Sequence, residues 1–309
     1  MAGQGTARGW VGRYFEVTPL VWPAGLPGLK NETGLPTGSF KVRGAMVGLQ
    51  ERLQAGPVAE VVASSTGNHG AAVAWAAREL GVRATIFVPA GVNPIKRAKI
   101  EALGASLVAG GRDLAAAAER AEDHVARTGA FYLDDASDGA VPLGTATIGA
   151  EVVEQYPQVG VIFAPMGDTA LIRGVATAAK AARPDVRVVG VQAAGAPAYY
   201  LSWKAGHAVA TETCDTAADG LATRTPRAEN VAAIRRLVDD VVLVSEDELF
   251  AAVRLLYERA GIVAEPSGAA ATTAWLQQPA EKAVALVTGG NLSQAAALRA
   301  GVRLPGSGR

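Results

Sequence analysis

The residue pattern predicts an α/β chain of two lobes, each a parallel sheet flanked by helices. From Glu60 onward, short runs rich in Val and Ile alternate with Ala-rich stretches of helical length, as in V-V-A-S-S, A-A-V-A-W-A-A-R-E-L and V-R-A-T-I-F-V-P. Strands that alternate with helices build βαβ units, whose sheet is covered on both faces. With 309 residues, 50% of them hydrophobic, the chain is longer than one compact core usually allows. Gly81, Gly104 and Gly261 each follow a helical pattern at the place where a left-handed terminal glycine is expected.

Taken along the chain, strands are predicted over Ala130 to Leu133, Gly160 to Ala164, Val186 to Gln192, Asp240 to Val244 and Ala283 to Val287. Helices are predicted over Ile95 to Leu103, Asp113 to Arg127, Thr147 to Tyr156, Ala170 to Ala182 and Glu246 to Ala260. The reading places a smaller lobe over residues 57–142 and a larger lobe over 1–56 and 143–309.

Composition narrows the function. Lys and Arg total 29 and so do Asp and Glu, so no net field draws the protein to nucleic acid or an anionic membrane, and a small-molecule partner is expected. The sequence has one cysteine, Cys214, and three histidines. That excludes an internal disulfide and leaves no zinc signature. The first residues lack an apolar signal core and no apolar run of membrane-spanning length follows, so a soluble cytoplasmic protein is expected.

Open α/β sheets bind ligands beyond the carboxyl ends of their strands, so the loops there are where chemistry is expected. Lys41 lies in T-G-S-F-K-V-R-G-A, after a turn and at the start of a helical pattern. It is poorly explained as surface charge and reads as an imine-forming lysine. The loop Ser64-Ser65-Thr66-Gly67-Asn68-His69-Gly70 joins an apolar strand to a helix. Its hydroxyls and backbone N–H groups suit an anion such as a carboxylate. A second loop, Pro165-Met166-Gly167-Asp168-Thr169-Ala170-Leu171, is placed as a phosphate cradle at a helix N-terminus. Thr288-Gly289-Gly290-Asn291 ends the last strand, and A-D-G-L-A (218–222) and E-P-S-G-A (265–269) stand between. No G-x-G-x-x-G or G-K-[ST] loop is present, which argues against a bare nucleotide-binding module.

In this order the segments resemble the fold-type II pyridoxal 5′-phosphate enzymes, in the branch of threonine and serine dehydratases and serine racemase. The likeness runs from Thr18 to Val302 and includes a K-x-E strand at Lys30 and Glu32. It implies that Lys41 carries pyridoxal 5′-phosphate as a Schiff base with Phe40 beside it, and that Asn68 meets the cofactor's 3′-oxygen. Gly167, Asp168, Thr169, Ala170 and Leu171 would hold the phosphate, Thr288 would meet the pyridine nitrogen, and Glu265 would stand in the wall beside the ring. Ser65, Thr66, Gly67 and His69 would bind the substrate carboxylate. Lys41 would be the catalytic base, and Thr66 a second catalytic residue, since it stands where serine racemase has its proton-delivering serine.

The departures from the family pattern are local. Asp168, Thr169 and Ala170 replace glycines, with Asp168 expected to point outward and Thr169 to offer its hydroxyl. Thr145 replaces a glutamine, and Asp134 and Asp135 are candidates for substrate contact. Gln192 stands where serine racemase supplies a metal-binding glutamate, so no metal site is expected. The implied activity is α,β-elimination of a serine- or threonine-like β-hydroxy amino acid to a 2-oxo acid and ammonia. β-Replacement of the threonine synthase or cysteine synthase kind, racemisation, or a non-catalytic cofactor-binding role are the alternatives. The resemblance also implies a homodimer.

Overall fold

A computed structural model describes residues 3–304. In chain order its elements begin α1 (Gln4–Val11), β1 (Leu20–Val21), β2 (Gly28–Asn31), α2 (Lys41–Ala55), β3 (Glu60–Ser64), α3 (Asn68–Glu79), β4 (Arg83–Val88), α4 (Pro94–Ala102), β5 (Ser106–Ala109) and α5 (Leu114–Thr128). There follow β6 (Phe131–Tyr132), α6 (Val141–Gln155), β7 (Val161–Pro165), α7 (Ala170–Ala182), β8 (Arg187–Ala193) and α8 (Ala198–Ala205). The last are α9 (Ala228–Leu237), β9 (Asp240–Val244), α10 (Glu246–Ala260), α11 (Pro266–Gln277), β10 (Ala283–Val287) and α12 (Gln294–Ala300). The chain divides into two compact units.

The first unit takes residues 3–15 together with Lys41–Gly144. Its sheet has four parallel strands in the order β5-β4-β3-β6. Helices α3 and α5 both pack on β3 and β4. The α5 side is small and aliphatic, with Ala117 and Ala121 against Val62 and Phe87. Helix α5 starts where Asp113 accepts the Ala116 N–H at 2.9 Å and stops at the left-handed Gly129, which is ordinary capping chemistry.

The second unit takes residues 16–40 and 145–304. Its six strands run β1-β2-β10-β7-β8-β9, all parallel except the edge pair β1 and β2. Strands β7 and β10 are buried at every residue, as strands covered on both faces must be. Helix α11 is buried from Pro266 to Ala274 and packs across β7, β8, β9 and β10. A helix with so little polar surface belongs inside a core.

Predicted and observed elements agree at Asp240–Val244, Ala283–Val287, Ala170–Ala182 and Glu246–Ala260. Gly81, Gly104 and Gly261 have φ of 69°, 87° and 65°. Helix α6 begins at Val141, before the predicted Thr147. Pro142 falls in the first turn of α6, where Pro is tolerated. Gly144 serves close packing, since a Cβ there would lie 2.3 Å from the Arg43 carbonyl oxygen. No helix among the described residues is long and apolar enough to cross a membrane.

Candidate active site

The chemistry-bearing residues form two groups, one in each unit. In the first, Lys41 opens α2, and its Nζ donates to Asp135 Oδ2 with the two side chains 20% and 10% exposed. A helix N-terminus disfavours an ammonium ion, and the nearby carboxylate offsets that. Burial by itself pushes the Asp135 carboxyl up, but the charges of His69 and Lys41 and the Lys41 hydrogen bond outweigh it. They hold Asp135 well below the usual carboxylate range. His69 is buried, with Nε2 2.8 Å from the Leu133 carbonyl oxygen and Nδ1 3.7 Å from Asp135 Oδ2. A carbonyl only accepts, so Nε2 carries the hydrogen and Nδ1 faces the carboxylate.

Beside this cluster the 64–70 loop folds back on itself. The Gly67 N–H donates to Ser65 Oγ at 3.2 Å, and a Cβ on Gly70 would lie 2.5 Å from the Ser65 carbonyl oxygen. Only a glycine closes that turn. Nothing stands within 4 Å of where a Cβ of Gly67 would be. The half-buried Ser65 and Thr66 flank this space, and Asn68 and His69 begin α3. Hydroxyls and amides at a helix N-terminus make a seat for a carboxylate.

In the second unit, the chain leaves β7, turns through Met166, Gly167, Asp168 and Thr169, and enters α7 at Ala170. Thr169 is 2% exposed and left-handed at φ 71°, and its Oγ1 is buried without a hydrogen-bond partner. For a β-branched residue that conformation costs about 1–2 kcal/mol. A buried unpaired hydroxyl over the amide end of a helix is the donor set that suits a phosphate dianion, so these residues fit such a group. Ser39 Oγ, in the same unit, is likewise buried without a partner. The Asp168 carboxylate is half-buried and accepts from the Thr223 hydroxyl at 3.0 Å. Ala170 and Leu171 are buried in the first turn of α7.

Glycine contacts bind this loop to the other motifs of the unit. A Cβ on Gly167 would lie 2.2 Å from the Gly220 carbonyl oxygen, and one on Gly220 would lie 3.0 Å from Ser267 Oγ. On Gly268 it would lie 2.3 Å from the Gly289 carbonyl oxygen, and on Gly289 2.2 Å from Glu265 Oε1. Thr288, 4% exposed, follows β10, and its carbonyl accepts the Phe40 N–H at 3.0 Å. Phe40 immediately precedes Lys41 in the chain.

Of the sequence-predicted residues, Lys41, Ser65, Thr66, Gly67, Asn68 and His69 therefore fall in the first unit. Phe40, Gly167, Asp168, Thr169, Ala170, Leu171, Glu265 and Thr288 fall in the second. The bond from Asp135 to Lys41 has no sequence signature beyond a carboxylate placed just after a strand. Thr145 is fully buried and donates to the Ala170 carbonyl at 2.8 Å. Asp134 accepts from Ser137 Oγ at 2.5 Å and the Ala136 N–H at 3.3 Å, which closes a local turn. Gln192 is buried, and its Oε1 accepts the Tyr200 N–H at 2.7 Å.

Comparison with known proteins follows the same lines. A family described as "Pyridoxal-phosphate dependent enzyme" matches residues 13–290. L-threonine ammonia-lyase of Geobacter sulfurreducens is 36% identical over 260 residues, 83% of this chain and 65% of that protein. The chain thus spans about two thirds of that relative's length. The catabolic L-threonine dehydratase of Escherichia coli K12 is 33% identical over 85% of this chain and 82% of its own. Among solved structures, a threonine deaminase from T.th. has a TM-score of 0.88 at 33% identity, over 94% of this chain and 97% of that one. Maize serine racemase has a TM-score of 0.87 at 27% identity, over 96% and 94%.

Proposed function

We propose, since this chain belongs to the family of pyridoxal-phosphate dependent enzymes, that it is an ammonia-lyase acting on a serine- or threonine-like β-hydroxy amino acid. The observation that carries this reading is the first-unit cluster, in which Lys41 shares one polar site with the carboxylate-type loop of Ser65, Thr66, Gly67, Asn68 and His69. Threonine dehydratases and deaminases among the relatives support it. Net chemistry is loss of the Cα proton and the β-hydroxyl, then hydrolysis to a 2-oxo acid and ammonia.

Lys41 would anchor pyridoxal 5′-phosphate, with Asn68, Glu265 and Thr288 around the ring, Phe40 beside it, and Gly167, Asp168, Thr169, Ala170 and Leu171 at its phosphate. The bound cofactor supplies the electron sink for a carbanion at Cα. The chain's own residues bind, orient and move protons. Ser65, Thr66 and the amides around Gly67 hold the substrate carboxylate, which fixes the Cα–H bond toward the base. Lys41 Nζ accepts the Cα proton, a task that positioned bases accelerate by about 10²- to 10⁴-fold. Thr288 would meet the ring nitrogen with a neutral hydroxyl rather than a carboxylate, a partner that would favour prompt loss of a β-leaving group.

A second reading, racemisation, rests on Thr66, which is half-buried next to Gly67 and carries the hydroxyl that would deliver a proton to the second face of Cα. Its methyl restricts rotation and crowds that face, so elimination is the favoured outcome. A homodimer and a cytoplasmic location belong to the same proposal. The half-buried free Cys214 suits a reducing compartment.

The test is release of 2-oxo acid over a panel of L- and D-β-hydroxy amino acids, with Lys41→Ala as control. Turnover that the control abolishes is the expected result. No oxo acid from any member, with inversion at Cα followed by chiral chromatography, would move the assignment to the racemase.

A further inference from the structure

The contact between Lys41 and Asp135 joins two elements that the sequence separates by 94 residues. Strand β6 ends at Tyr132, and the chain then presents Leu133, Asp134 and Asp135. This short segment grips His69 twice, through the Leu133 carbonyl at 2.8 Å from Nε2 and through the Asp135 carboxylate at 3.7 Å from Nδ1. The same carboxylate accepts the Lys41 Nζ hydrogen bond. Asp135 is 7% exposed, and burying an ionised carboxylate is tolerated only where cations and hydrogen bonds meet it. Lys41 supplies both from the first turn of α2, and the His69 ring stands beside the carboxylate from the first turn of α3. The helix N-termini behind both residues favour an anion at this spot.

We propose that Asp135 is a positioning residue for Lys41: its carboxylate seats the ε-ammonium whenever Nζ carries no covalent partner. The inference rests on the reading of Lys41 as the cofactor lysine. It follows that Asp135 acts on the two moments when Nζ is free, before the cofactor is captured and while substrate occupies it. In both, the carboxylate keeps the ε-amine on the Asp135 side that also faces His69 of the 64–70 loop and favours its charged form. Asn at position 135 keeps the size of the side chain and one acceptor but removes the charge. The ε-amine should then be more often neutral, more nucleophilic and less well placed. Glu at 135 restores the charge on a longer arm.

The experiment measures Lys41 itself. Full-length chain stripped of cofactor is exposed at neutral pH to a limiting amine acylating reagent. Labelling of Lys41 is read by peptide mass spectrometry against the exposed Lys282. Asp135→Asn is expected to raise the Lys41-to-Lys282 ratio by about tenfold or more, the least effect of removing an opposite charge in contact. Asp135→Glu should return most of the way toward the parent. An unchanged ratio in Asp135→Asn, with circular dichroism and melting like the parent's, would overturn the proposal. If the Asn variant fails to fold, the Glu variant decides, because a purely steric role predicts disturbed labelling there and a counter-ion predicts near-parental labelling.

A parallel sample loaded with pyridoxal 5′-phosphate and reduced with borohydride locates the cofactor lysine. A pyridoxyl group on any other lysine removes the reading of Lys41 and the present inference with it. A pyridoxyl group on Lys41 with an unchanged labelling ratio removes the inference alone.

Discussion

Replacing Thr169 by Gly is expected to move two quantities in opposite directions. Without cofactor, the threonine holds a left-handed backbone at φ 71° and a buried hydroxyl without a hydrogen-bond partner. Glycine relieves about 1–2 kcal/mol of backbone strain, and loss of the unpaired hydroxyl adds about 1 kcal/mol more. The greater freedom of glycine in the unfolded chain subtracts about 0.5–1 kcal/mol. The net gain is about 1–2 kcal/mol, or about 2–8 °C in Tm for bodies of this size. If Thr169 donates to the cofactor phosphate, the same change removes a charge-assisted hydrogen bond of about 1.5–3 kcal/mol. Binding should then weaken by about 10- to 150-fold. Melting of cofactor-stripped protein by circular dichroism gives the first number, and titration with pyridoxal 5′-phosphate followed by visible absorbance gives the second. Thr169→Ser keeps both hydroxyl and strain and should stay close to the parent in each. A Thr169→Gly protein that melts lower would refute the strain argument, and one that binds the cofactor as tightly as before would refute the phosphate role.

Gly167→Ala places a Cβ 2.2 Å from the Gly220 carbonyl oxygen; backbone must shift, at about 1–3 kcal/mol of stability, read by urea unfolding. Lys30 is fully buried and donates to Glu151 Oε2 at 2.5 Å, the Thr18 carbonyl at 2.7 Å and Gln155 Oε1 at 2.9 Å. Lys30→Met strands a buried carboxylate and should lose about 3–5 kcal/mol, with much of that recovered when Glu151→Leu is added. The Asp135 carboxyl is raised by burial but lowered further by His69 and Lys41, so its folded value lies below its unfolded one. Such a group stabilises the fold above its unfolded value and loses that contribution as pH falls toward the folded one. The stability gap between parent and Asp135→Asn, from urea melts at stepped pH, should be full at about pH 6 and shrink below about pH 4.

Where local chemistry decides, the sequence was legible. Helix α10 starts at a capping box of Ser245 and Glu248 and ends at the left-handed Gly261, so both its limits could be read. The same is true of β10, whose five residues are all apolar and buried. Strand β6 is shorter than predicted because only Phe131 and Tyr132 pair with β3. The 64–70 and 165–171 loops were legible because glycines and hydroxyls between strand and helix have few other uses. The bond between Asp135 and Lys41 was not, because it joins residues 94 apart in the chain, and Asp135 was read only as a candidate for substrate contact. Nor was the close packing of Gly144 on Arg43 in the first turn of α6, a helix that begins before the predicted Thr147.

The glycine contacts explain why the phosphate-type loop tolerates departures from the four glycines of the family pattern. Gly167 cannot change without a backbone shift, because a Cβ there would meet the Gly220 carbonyl oxygen. Ala170 is already helical and needs no glycine. The Asp168 side chain is taken up by the Thr223 hydroxyl, so it has a partner of its own in this unit. Thr169 alone sits at a positive φ, and there the loss of glycine is a conformational cost rather than a collision. A buried hydroxyl is what the chain has in exchange for that strain. Strain held at one loop residue, with an unpaired donor attached, is the pattern expected of a site shaped for a ligand rather than for the empty fold.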